Sequence, residues 1–187
     1  MRPRRQHYSL AHVRLFFRAV LQLPTSLRAA AAIFPLLEEA GATAEWGSRP
    51  SAPCGRWWIL RVGLYELQRR KAWADDWVWI VDHTIQLGTT RVLVIVGLRW
   101  SAWEAKGRGA LEHQDLQVLL LEPVQKSNAD LVQSQLEKVA RASGAPRAIV
   151  SDQCRELNNA VEQFQVAHPR TVRLNDIKHR LALLLAA

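Results

Sequence analysis

Asp82 breaks the apolar run Trp77-Val-Trp-Ile-Val81, and Asp152 follows directly on Ile149-Val-Ser151. An unpaired carboxylate is costly to bury, so an acid in such a place has a hydrogen-bonded partner, meets water at a strand end, or holds a cation. Two carboxylates a few ångströms apart repel each other unless a divalent cation lies between them, and Mg²⁺ or Mn²⁺ takes such hard oxygen ligands readily. A two-metal site of this kind polarises a phosphodiester, generates the attacking hydroxide or 3′-hydroxyl and stabilises the leaving oxygen. The competing reading is an ordinary sheet whose acids cap strand ends. The choice between them turns on whether the fold brings positions 82 and 152 side by side.

Three segments read as strands, Trp77 to Leu87, Thr90 to Leu98 and Leu116 to Val124, the first two joined through a tight Gly88-Thr89 turn that predicts a hairpin. Arg99 to Gln114, with two tryptophans, two glycines and mixed charge, reads as a surface loop. Ser127-Asn-Ala-Asp130 opens a helix with Val132, Leu136 and Val139 on one face, ended by Gly144 and Pro146. Arg147 to Ser151 is a short strand that delivers Asp152. A helix with Leu157, Val161 and Phe164 inward then runs to Pro169, Thr171 to Asn175 is another strand, and Ile177 to Ala187 starts a last helix. The order β-β-β-α-β-α-β-α is the plan of the ribonuclease H fold, an α/β mixed sheet in which the fourth strand pairs with the first. That pairing makes Asp82 and Asp152 neighbours.

Upstream, Ser9 to Leu23 carries Leu10, Val13, Phe16, Phe17, Val20 and Leu21 at helical spacing. A second helix starts at a Thr25 or Ser26 cap and runs past Leu37, with Pro35 expected to kink or split it. After a loop from Ala42 to Gly55, Arg56 to Arg70 reads as a third helix with Trp57, Leu60, Leu64 and Leu67 at core positions and Arg56, Arg61, Arg69 and Arg70 outside. Residues 1–71 hold 12 Lys/Arg against 4 Asp/Glu, whereas residues 72–187 hold 13 of each, so the whole net charge of +8 lies in the first part. Three short helices with a basic last one fit a small all-α helix-turn-helix unit that grips DNA phosphates. A basic solubilising arm is the plainer alternative.

The stretches Trp77 to Gly88, Leu119-Leu-Leu-Glu-Pro-Val124 with Lys126-Ser-Asn128, Ile149 to Asp152, and Asn175-Asp-Ile-Lys-His179 together resemble a family of bacterial DDE-type transposases, over roughly residues 53–187. The resemblance implies a DNA transposase that cleaves a strand and transfers its 3′-hydroxyl to target DNA. It implies a two-metal site for Mg²⁺ or Mn²⁺ in which Asp82 and Asp152 are catalytic acids, DNA (element ends and target) as partner, and a homo-oligomer on that DNA. Asp176 is a further candidate metal ligand, although a strand-end Asp before a helix is also an ordinary cap. Lys178, His179 and Arg180 are candidate DNA contacts, and Trp100 and Trp103 lie where some transposases touch DNA.

The chain departs from that pattern in two places. The helix from Ile177 has no acid where the family carries its third, and Cys154 stands where a glycine usually follows the second acid. Both departures lead to the expectation of a truncated or inactive copy. The alternatives are a remnant that binds element ends without cutting, and another ribonuclease H-like nuclease. Glu156 and Glu162 are expected on a solvated helix face, and His83, which alternates away from Asp82 on the strand, is expected as a packed neighbour, with a ligand role as the alternative.

At 187 residues and 49% hydrophobic, the chain supports one sizeable core and a second small unit, divided here as 1–71 and 72–187. No apolar run reaches bilayer-spanning length, since Arg14, Arg18 and Arg180 interrupt the candidates. Cys54 and Cys154 form no paired metal-ligand spacing, which fits reduced thiols in a cytoplasm; the resemblance implies that of a bacterium, close to the nucleoid.

Overall fold

Alternation of apolar side chains along Trp77-Val-Trp-Ile-Val81 gives this strand two buried faces, and the rest of its domain is layered on them. The computed structural model describes residues 7–23, 25–41, 48–87, 90–152 and 154–176, with the backbone alone for 84–87. The chain divides into two compact units, Met1–Gln68 and Arg69–Ala187, a boundary just ahead of the expected one after Lys71. Among the described residues no helix is long and apolar enough to cross a membrane.

The first unit contains α1 (Leu10–Gln22), α2 (Leu27–Glu39) and α3 (Ala52–Gln68) around Phe16, Ala19, Ala30 and Phe34. Ser26 caps α2, its hydroxyl accepting from the Ala29 amide at 3.1 Å. The break expected at Pro35 does not occur: α2 is continuous through it, held by buried Phe34 and by the strong helix formers Ala29 to Ala32. The phase of α3 is also corrected. Trp57, Leu60 and Leu64 are 62, 50 and 53% exposed, and Trp58 and Ile59 pack inward instead. Gly55 sets this phase, because it lies so close to the Phe16 ring that a Cβ would collide with it. The helix ends at Gln68, so Arg69 and Arg70 are not on it. Residues 40–51 separate α2 from α3, a longer connection than the turn of about three or four residues in a helix-turn-helix.

In the second unit a five-stranded sheet runs in the order β3-β2-β1-β4-β5, with β1 (Trp77–Leu87), β2 (Thr90–Arg99), β3 (Leu116–Val124), β4 (Ala148–Ser151) and β5 (Val172–Asn175). The first three strands pair antiparallel with one another, and β4 and β5 extend the sheet parallel to β1. This is the ribonuclease H-like mixed sheet expected from the element order. The predicted turn at 88–89 and the helix from Ile177, with Lys178, His179 and Arg180, lie outside the described residues.

One face of the sheet, with Trp77, Trp79, Val81, Leu93, Ile95 and Ile149, packs against α5 (Ala129–Ser143) and α6 (Arg155–Ala167) through Val132, Leu136, Val139, Leu157, Val161 and Phe164. Asn128 caps α5 at the Leu131 amide, 2.8 Å away. The other face carries Val78, Leu98 and Ala148, against which Trp100 and Trp103 pack. The segment expected to be a loop therefore folds into α4 (Trp100–Ala105) and a 3-10 turn at His113–Asp115.

α4 forms because its cap comes from a distance. The Asp76 carboxylate accepts from the Ser101 amide at 3.0 Å and the Ser101 hydroxyl at 2.6 Å, and Arg99 Nε lies 2.5 Å from its other oxygen. Burial alone would raise the Asp76 carboxyl, but the bonds from Ser101 and Arg99 outweigh it and hold the group at about 2, against an ordinary value of 3.8. Because the folded value is the lower one, the stability Asp76 contributes is present in full above pH 4 and is lost as pH falls from about 4 to about 2. Asp76→Asn should thus cost ~1–2 kcal/mol in denaturant unfolding at neutral pH. The gap between the two proteins should close as the same measurement is carried down to pH 2; an unchanged gap would refute this role.

Candidate metal centre

The register of the parallel strands decides where the acids fall. Val81 on β1 pairs with Ser151 on β4, and Ser151 with Asn175 on β5. The next residue on each of the three chains is an aspartate: Asp82, Asp152 and Asp176. The Asp176 amide still donates to the Ser151 carbonyl at 3.0 Å, which carries the row one step past the last strand pair. Neighbouring strands lie about 4.8 Å apart, so the three acids follow one another across adjacent parallel strands, Asp82 in the middle of β1 and Asp152 and Asp176 at the carboxyl ends of β4 and β5. All three are half-buried. The strand order alone predicts Asp82 beside Asp152; the register puts Asp176 in the same row.

Asp152 is held by its own turn, its Oδ1 accepting from the Cys154 amide at 3.1 Å. Cys154 itself has φ −65° and ψ 141°, ordinary extended backbone that any residue adopts. The glycine that the resemblance leads one to expect at this position is not required by the backbone, so Cys154 introduces no strain next to Asp152.

A second cluster lies beside the row. Successive residues of a strand point to opposite faces, so His83 follows Trp79 and Val81 towards α5 and α6 while Asp82 lies on the other side. Ser127 Oγ is 2.8 Å from His83 Nε2, and the Cys154 thiol is 3.8 Å from Glu156 Oε2. Ligand atoms of His83, Cys154 and Glu156 all lie within 4.8 Å of one another. Glu156 is therefore half-buried in this cluster and not on the solvated face expected for it, whereas Glu162 is exposed and pairs with Arg173 at 2.8 Å. Burial pushes the Cys154 thiol up to about 11, with Asp152 and Glu156 adding to the shift against an opposing bond from the Leu157 amide. A thiol so placed is protonated at neutral pH and is not an activated nucleophile.

The remaining candidates lie on other elements. Arg56 and Arg61 are exposed on α3, and Arg69 and Arg70 are exposed beyond its end, in the second unit. Trp100 and Trp103 cover the sheet, their rings 5.0 Å apart, with the Arg147 guanidinium 4.6 Å over Trp100. This is packing with a cation–π contact.

No protein-family model and no curated protein matches the chain. Among solved structures, it is similar to the catalytic core domain of HTLV-2 integrase in complex with magnesium, at 13% identity and a TM-score of 0.35, over 56% of this chain and 62% of that one. It is also similar to the simian T-cell lymphotropic virus intasome in complex with the PP2A regulatory subunit B56 gamma, at 14% identity and a TM-score of 0.36, over 68% of this chain and 44% of that one. The chain thus spans less than two thirds of either.

Proposed function

We propose that the second unit is the metal-dependent core of a DDE-type DNA transposase, acting on phosphodiesters, and that the basic helical unit holds the DNA. The observation that carries this reading is the row Asp82, Asp152 and Asp176, each one residue past the last paired position of the parallel strands β1, β4 and β5, with Asp82 in the middle of β1 and the other two just beyond β4 and β5. Carboxylates in that arrangement form a hard oxygen donor set, which fits Mg²⁺ or Mn²⁺. When bound, such ions supply neutralisation of the phosphate and activation of the attacking hydroxyl. The chain's own part is to hold the acids in register: β1 stays extended through Asp82, and the Cys154 amide orients Asp152. Asp176, at the end of the row, is the third acid in this reading. Exposed Arg56 and Arg61 give α3 cationic groups for phosphate contacts.

The test is a DNA binding and nicking assay with the purified chain. Binding to duplex DNA should weaken steeply as salt rises, because the contacts are to phosphate. Nicking should need Mg²⁺ or Mn²⁺ and stop with EDTA. Salt-sensitive binding with no nicking under any divalent ion would leave a DNA-binding protein alone, and absence of both would overturn the proposal.

A further inference from the structure

The cluster next to the acid row is chemically unlike it. His83, Cys154 and Glu156 offer one nitrogen, one sulfur and one oxygen, from the middle of β1, the residue before α6 and the first turn of α6. Thiolate and imidazole favour a borderline-soft ion over Mg²⁺, and three protein ligands with a fourth position open to solvent is a common zinc arrangement. Mutual spacings within 4.8 Å, one already 3.8 Å, need only a small closing movement to reach bonds of about 2.0–2.3 Å to a shared ion. The supporting shell is also present, since Ser127 Oγ lies 2.8 Å from His83 Nε2 and fixes the ring. The three side chains are half-buried, so the site is neither a surface scatter of acids nor sealed from solvent.

We propose that His83, Cys154 and Glu156 bind a zinc ion, at a site separate from the aspartate row. Binding would replace the Cys154 thiol proton, released to solvent, by the metal. It would also tie the start of α6 to β1 on the side away from Asp82.

The experiment uses the full chain, reduced, stripped with EDTA and titrated with Co²⁺ as a spectroscopic stand-in. One equivalent should give the thiolate-to-cobalt charge-transfer band and the intense visible bands of four-coordinate cobalt, both removed by Zn²⁺. Cys154→Ser and His83→Ala should abolish the charge-transfer band or weaken binding by more than about 100-fold, since outer-shell changes alone cost about 10–100-fold. Ser127→Ala should weaken it about 10-fold. Cys54→Ser should leave the spectrum intact, and so should Asp82→Asn, which separates this site from the Mg²⁺ reading. Circular dichroism of each metal-free variant, with Glu156→Gln as the mildest, checks that the fold is kept. Absence of the charge-transfer band in the unaltered chain, or its survival in Cys154→Ser, would overturn the proposal.

Discussion

If the second unit cleaves DNA as proposed, Asp152→Asn should lower metal-dependent strand cleavage by about a thousandfold or more, and Asp82→Asn should do the same. The expectation follows from what the two carboxylates do in the row. In the proposed site each would supply a full negative charge to a cation that in turn stabilises charge on the phosphate, an effect of several kcal/mol, and each 1.36 kcal/mol is a factor of ten in rate. The amide is a controlled change, because its side-chain oxygen still accepts the bond that Asp152 takes from the Cys154 amide. Folding stability should therefore move little while activity and Mg²⁺ affinity fall together. Single-turnover cleavage and calorimetric metal titration are the measurements. Asp176→Asn decides the third position: a loss of comparable size makes it a ligand, and an unchanged rate returns it to the role of a cap before the following segment. Cleavage unaffected by all three substitutions would mean that the activity belongs to something else in the preparation.

The largest stability effect is expected at Gly144. Its φ of 94° and ψ of 152° fall in a region that is essentially reserved for glycine, and a Cβ there would collide with the Ala74 carbonyl oxygen. Gly144→Ala combines backbone strain of about 1–3 kcal/mol with that clash, and should destabilise the sheet unit by more than ~3 kcal/mol. Gly109→Ala is the matched control, since open space surrounds that position, and should change stability by less than ~1 kcal/mol. Urea unfolding of the two variants compares them directly, and equal midpoints would refute the argument.

Which features are legible in the sequence follows from the range of the interactions that set them. The bounds of β1 and β3 match the apolar runs because each strand is specified by its own residues. The adjacency of Asp82 and Asp152 was legible once the order of strands fixed which pair meets. Asp176 needed more, since its membership of the row depends on register between β4 and β5 and not on their order. The phase of α3 was out of reach because it is set by the contact of Gly55 with Phe16 on another helix. α4 was hidden for the same reason, its cap being Asp76, far upstream of Ser101. Glu156 looked solvated because nothing local to it announces His83 and Cys154 as neighbours.

The segment just ahead of β1 carries a last consequence. The Ser143 carbonyl accepts from both the Ala74 amide, at 2.8 Å, and the Trp77 indole, at 2.9 Å, and Gly144 sits against Ala74 from the same side. The residues that look like a tether between units are thus stitched to the far end of α5. A version of the sheet unit made to stand alone has to begin no later than Trp73. Trimmed back to Trp77, where the strand itself begins, it would lose the amide that fastens its first strand and leave the end of α5 frayed.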